Sequence, residues 1–165
     1  TAAEERSAPR KQELFSQARE SYQTFLHLTN YSTPAISWVA YHFVGHGLGG
    51  RRHADRKDLY NAWRNSGYLG LCLCDEMLGN LLRARDYCRR AIGYIPDDAI
   101  AHFLLGNVNR DLFIKTKSCE YVASARASYQ QVLSLNPNLT EAKNARFYLD
   151  QFEGMREALR RRGCP

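Results

Sequence analysis

One pattern recurs along the chain. An alanine is followed four positions on by a bulky or soft residue, three further by an apolar one, and then by a turn residue. It appears as Ala18/Tyr22/Phe25/Asn30, Ala84/Cys88/Ala91/Pro96 and Ala125/Tyr129/Val132/Pro137. Spacings of four and three put these side chains on one helix face. The small alanine lets another helix approach closely, and proline stops a helix because it has no N–H to donate. Such a repeat constrains the fold more than composition does, because each unit buries its apolar face only by stacking on the next.

Each turn residue is followed by a new helix start. In "PDDAIAHFLLG", Asp97 and Asp98 are cap or first-turn acids. "PNLTEAKNARFYL" offers Thr140 as a cap with Glu141 behind it. "STPAISWVAY" offers Thr33 as a cap with Pro34 in the first turn, where proline is tolerated.

Partner helices precede the alanine helices. Leu71-Cys72 recurs as Leu105-Gly106 after thirty-four residues. Gly79 marks a turn before Ala84, and Gly49 a turn before Ala54 with the same spacing. Trp38 stands before Gly49 as Tyr68 stands before Gly79. Together these features resemble the tetratricopeptide repeat (TPR), a helix–turn–helix unit with the pattern W-x2-L-G-x2-Y…A-x3-F…P. The likeness runs from about Phe15 to Leu149 and is closest in Tyr68–Pro96 and Ala125–Pro137. It departs at His42, where the family prefers a small residue, and at Asp58 and Asn61, where the family is mostly apolar.

The resemblance implies an all-α fold, a right-handed superhelix of about three helix–turn–helix pairs with flanking helices. The expected map is a flexible N-terminus at 1–9, a helix at about 10–30, and pairs over 34–65, 67–94 and 99–135. A capping helix over 140–161 carries the apolar stripe Ala142, Ala145, Leu149, Phe152, Met155 and Leu159. Asn65-Ser66-Gly67 is the expected break between the first two pairs; without it, 54–79 is one long helix. Ala84 to Ala125 spans forty-one residues rather than thirty-four. Seven extra residues make about two helical turns, so the helices around Arg110–Cys119 are expected to be long.

The chain has 165 residues and a net charge of +6. Its basic clusters, Arg51–Lys57, Arg83–Arg90 and Arg156–Arg162, read as solvated faces. Cys72, Cys74, Cys88, Cys119 and Cys164 are odd in number and irregular in spacing, a poor disulfide framework. Cys72 and Cys74 lie in an apolar run and read as small hydrophobes. A reducing, cytoplasmic setting is therefore expected, as is the alternative that the chain is a domain of a larger or membrane-anchored protein. No apolar run reaches the length that crosses a bilayer.

Candidate chemistry is sparse. "WVAYHFVGHGLGGRRH", Trp38 to His53, reads as a helix end and turn, since glycine supplies the left-handed conformation there. His42 and His46 share a face at a chelating spacing, but no third ligand is placed, so no metal is expected. Arg51 and Arg52 are a candidate anion site beside the glycines. Cys74 has acidic neighbours, Asp75 and Glu76, that raise a thiol's pKa, and no local histidine to activate it. Neither catalysis nor a cofactor is expected. Asn30-Tyr31-Ser32 and Asn138-Leu139-Thr140 match the N-glycosylation sequence, and both read as helix-end turns. Arginines and tyrosines in "RARDYCRRAIGY" raise an RNA reading, against which Ala84, Cys88 and Ala91 face inward and the arginines outward.

In TPR arrays the first helix of each pair lines a concave face, which the resemblance assigns to partners. The residues it would present are Ile36, Val39, Phe43, Leu69, Leu73, Glu76, Ile100, Phe103, Asn107 and Arg110. The stripe is apolar at one end and polar at the other, suited to an apolar or amphipathic peptide or helix. The expected function is a non-catalytic protein–protein interaction scaffold, or adaptor. Self-association, or the chain's own terminal helix, would also fill such a groove; a basic module for RNA or anionic lipid is a further alternative.

Overall fold

The structure, a computed structural model, describes residues 2–30 and 56–164, with side chains placed over 9–28 and 60–164. Among these residues the regular structure is all α-helix: α1 (Ala2–Asn30), α2 (Arg56–Met77), α3 (Leu81–Tyr94), α4 (Ala99–Thr116), α5 (Cys119–Leu135), α6 (Thr140–Gly154) and α7 (Arg156–Arg161).

The second half follows the sequence closely. Asp98 caps α4, its carboxylate accepting from the backbone N–H of Ile100 and Ala101 at 2.9 and 3.3 Å. Gly79, at φ +76°, ends α2 in the left-handed conformation that glycine adopts without penalty. The repeated face is the core in two of its three instances: Ala84, Cys88 and Ala91 on α3 and Ala125, Tyr129 and Val132 on α5 are fully buried, whereas on α1 Tyr22 and Phe25 are exposed and Ala18 is half-buried.

Four expectations are corrected. Asn65-Ser66-Gly67 does not break the chain; α2 runs unbroken through it. Gly67 serves close approach, since a Cβ there would lie 2.6 Å from the Leu26 side chain of α1. Asn65 is buried and donates to the Ala91 carbonyl of α3 at 3.3 Å. Residues 2–9 continue α1 rather than forming a flexible lead, with Pro9 inside the helix among good helix formers. Thr140 is the first residue of α6, not its cap; Leu139 holds that position and no side chain caps the helix. The terminal helix is also not continuous, for α6 ends at Gly154 and α7 restarts at Arg156.

Neighbouring helices pack in chain order: α1 on α2, α2 on α3, α3 on α4, α4 on α5, α5 on α6. In addition α2 touches α4, and α4 touches α6, whereas α3 and α5 make no comparable contact. The first helices of successive pairs thus converge on one side.

Asp75 ties three helices together. It is fully buried on α2, and one carboxylate oxygen accepts from Asn80 Nδ2 at 3.1 Å and from Arg83 of α3 at 3.2 Å. Arg19 of α1 places Nε 3.2 Å from the same oxygen without a hydrogen bond to it. A buried carboxylate persists only with such compensation.

The cysteines overturn the sequence reading most plainly. Cys72 is joined to Cys88 and Cys119 to Cys164, leaving Cys74 as a buried thiol. Cys88 is the soft residue of the alanine pattern, and Cys72 faces it across the α2–α3 seam with the Cα atoms 5.3 Å apart. Irregular spacing in sequence hid a regular juxtaposition in space. Disulfides persist in oxidising compartments, so the expected reducing, cytoplasmic setting loses its basis. Among the described residues no helix is long and apolar enough to cross a membrane.

Candidate functional site

The converging sides of α2, α4 and α6 carry a linked cluster of polar and aromatic side chains. Arg110 of α4 donates from Nε and Nη2 to one Asp111 oxygen, at 3.0 and 2.8 Å. Its guanidinium lies 4.3 Å from the centre of the Tyr148 ring of α6, a cation–π distance. Tyr148 stacks on Tyr129 at 5.3 Å, and Tyr129 packs against Phe103 at 6.1 Å. The Tyr129 hydroxyl donates to Asn107 Oδ1 at 2.9 Å.

Glu76 of α2 completes the cluster across the α2–α4 seam. Among the described residues its carboxylate takes no hydrogen bond and no ion pair. Partial burial and then the Asp111 charge push its pKa up from 4.5 to about 7, with Arg110 opposing. Burial, eased by Arg110, likewise pushes the Tyr129 phenol well above its usual value. Burial works against the Arg110 charge, but the Asp111 hydrogen bond and charges around it keep the guanidinium firmly protonated.

Beside these polar groups the face stays apolar and open. Leu73 is 43% exposed, Met77 55% and Ile114 56%. Leu73 lies three residues before Glu76 and four before Met77, and Ile114 lies four after Arg110 and three after Asp111, spacings that put each pair on one side of its helix.

Of the sequence-predicted partner residues, Leu73, Glu76 and Ile100 are at least partly open, Ile100 at 45%. Leu69 is half-buried. Phe103 packs on the core around Tyr129, and Asn107 is engaged by the Tyr129 hydroxyl. Arg110 is committed to Asp111 and Tyr148, which removes it as a free receptor for a ligand carboxylate. Ile36, Val39, Phe43, Arg51, Arg52, His42 and His46 lie outside the described residues. Sequence reasoning missed Asp111, Met77, Ile114 and Tyr148. The first three were readable as helical neighbours of named residues, but Tyr148 was reachable only through the stacking of α6 on α4.

Other polar sites are self-contained. Tyr68 is stacked between Tyr87 and Tyr94, at 6.1 and 5.7 Å, with Arg90 above the Tyr68 and Tyr87 rings. These tyrosines face one another, a poor platform for bases. A cleft of about 340 Å³ lies between Gly79–Arg83 and Leu112–Thr116, and Arg83 there is bound to Asp75. Burial and the neighbouring Asp75 charge raise the Cys74 pKa, with Arg19 opposing, leaving an inert thiol. Among the described residues no three His, Cys, Asp or Glu side chains gather to hold a metal.

No protein-family model matches the sequence, and comparison with curated proteins finds no significant match.

Proposed function

We propose that the chain is a non-catalytic interaction scaffold, a right-handed superhelix of TPR-like pairs that binds a peptide or helix on the face of α2, α4 and α6. The observation that carries this reading is the convergence of the first helices of successive pairs, α2 on α4 and α4 on α6. In stacked helical repeats that convergence gives the concave surface. The two disulfides support an oxidising compartment rather than the cytoplasm.

The chemistry of the face favours a ligand with aliphatic side chains and one basic group. Leu73, Met77 and Ile114 supply apolar area. Glu76 supplies an unpaired carboxylate, while Arg110 is already neutralised by Asp111. A ligand carboxylate would have to displace Asp111 and face Glu76; a lysine or arginine meets neither obstacle. Ligand binding of this kind draws Glu76 into its ionised form. Glu76 faces Arg110 and Asp111 of α4 and Tyr129 of α5, with Tyr148 of α6 against Arg110, and with Arg19 and Arg83 gathered at neighbouring Asp75. With a pKa of about 7, affinity for a basic peptide rises between pH 6 and pH 8, by roughly tenfold at most.

Panning a random dodecapeptide phage library on the whole chain at pH 8 tests this. Enrichment of sequences with Lys or Arg flanked by aliphatic residues is expected. Leu73→Asp should abolish their binding, and Glu76→Gln should remove only the preference for the basic residue and the pH dependence. Enriched acidic peptides would sink the assignment of charge; no enrichment over bare support would sink the docking reading itself.

A further inference from the structure

The turn between α5 and α6 holds a feature the interaction face does not use. Asn138-Leu139-Thr140 is an Asn-x-Thr sequence whose middle residue is not proline. The fold splits its three side chains. Leu139 packs against the core around Val132 and Ala142, whereas Asn138 and Thr140 are exposed on either side of it.

Both outward groups are uncommitted. Asn138 uses its backbone N–H, which donates to Asn136 Oδ1 at 3.3 Å, but its carboxamide makes no hydrogen bond among the described residues. Thr140 was the expected cap of α6, yet its hydroxyl caps nothing; the turn is closed instead by the Leu139 N–H to the Asn136 carbonyl and the Ala142 N–H to the Leu139 carbonyl. Helix-end geometry therefore accounts for Asn136 and Leu139 and leaves Asn138 and Thr140 without a structural task. The second observation is independent. Two cysteine pairs are joined, Cys72–Cys88 and Cys119–Cys164, the mark of a chain that matures in an oxidising compartment. In eukaryotic cells that compartment also holds the glycosylation machinery.

We propose that Asn138 is an N-glycosylation site. In the transfer, Asn138 Nδ2 attacks C1 of a lipid-linked oligosaccharide. The C1–Nδ2 bond forms, the C1–O bond to the lipid pyrophosphate breaks, the pyrophosphate leaves on its lipid, and the amide proton passes to a base of the transferase. The Thr140 hydroxyl is the recognition element of the acceptor, which is why serine substitutes for it and alanine does not.

The fold accommodates the product. A bulky solubilising glycan has to remain outside the packed structure, and Asn138 points out of an exposed turn. The helices alternate in direction, so the α5–α6 turn lies at the same end as the Pro96 turn. Gly79, Ile114 and Lys117 mark the opposite end, beside the Glu76–Arg110 cluster. A glycan on Asn138 leaves that cluster open and shields the Pro96–Pro137 end of the array.

The test is expression of the whole chain behind a cleavable leader through the secretory pathway of cultured eukaryotic cells. Total cell extract and medium are probed, because transfer precedes folding and does not depend on secretion. The expected result is release of a glycan by peptide:N-glycosidase in ¹⁸O-water, marking Asn138 as ¹⁸O-labelled aspartate. Asn138→Gln and Thr140→Ala abolish modification at this position, and Thr140→Ser retains it. Peptide mapping separates Asn138 from Asn30, so modification at one is not mistaken for the other. An unmodified Asn138 in every fraction would overturn the proposal, as would modification that survives Thr140→Ala.

Discussion

In the α2–α3 hairpin the two helices are joined by a covalent bond, Cys72 to Cys88. At the matching positions of the α4–α5 hairpin, Gly106 and Tyr129, an aromatic ring lies where a glycine Cβ would be, 2.6 Å from it. Both pairs fill one steric slot between a first and a second helix. One divides the volume between two medium side chains, the other gives nearly all of it to one large side chain. The α1–α2 contact repeats the second solution, with Tyr22 over Gly70 at 2.4 Å from the same virtual position. A repeat position thus fixes the sum of two volumes and leaves their division, and their chemistry, free.

The largest loss is expected on the aromatic side. Tyr129→Ala empties a fully buried site and orphans Asn107; about 3–5 kcal/mol of stability should be lost, read by chemical denaturation. Next comes the covalent side. In a Cys119→Ser, Cys164→Ser background, adding dithiothreitol opens only Cys72–Cys88, which closes a sequence separation of 16. The loss should be about 3 kcal/mol on the chain-entropy account, and an unchanged denaturation midpoint would show that this bond adds nothing. Gly106→Ala comes third, at about 1–3 kcal/mol, because the Tyr129 ring is held by Asn107, Phe103 and Tyr148 and has nowhere to move. Gly70→Ala is its control. Tyr22 is 38% exposed and can swing outward, so a cost below about 1 kcal/mol is expected; equal costs at the two glycines would show that ring confinement does not matter.

A pH-dependent effect sits on the seam between the two hairpins. Glu76 on α2 has a folded-state pKa of about 7 against 4.5 unfolded. The folded chain therefore binds the extra proton, and stability falls as pH rises from about 4.5 to about 7. Glu76→Gln should match the parent at pH 4.5 and exceed it at pH 8 by about 1 kcal/mol, allowing for solvent at its open edge. Thermal melts at the two pH values check the sign.

Much of the second half was legible in sequence. Prolines 96 and 137, Asp98 and Gly79 act through local backbone chemistry that a reader can apply residue by residue, and the alanine spacing located the buried faces of α3 and α5. What escaped depended on partners distant in the chain. Gly67 looked like a breaker because its reason for being glycine, Leu26 of α1, is forty-one residues away. The cysteines looked unpaired because the seam joining Cys72 to Cys88 exists only once α2 and α3 are antiparallel. In the candidate site, Glu76 and Arg110 were legible as face residues. That Arg110 is spent on Asp111 while Glu76 stands unpaired was not, because a helical stripe names residues without saying which of them are already satisfied.

The Cys119–Cys164 bond changes how the molecule bears load. Stacked repeats ordinarily peel from an end, one helix at a time. Here tension entering at Cys164 passes straight through sulfur to Cys119 at the start of α5, across a sequence separation of 45. Most of α5, all of α6 and all of α7 form a slack ring outside the force path. A pulled molecule would therefore extend from Cys119 inward, shorter by the contour of that ring until a reductant releases it.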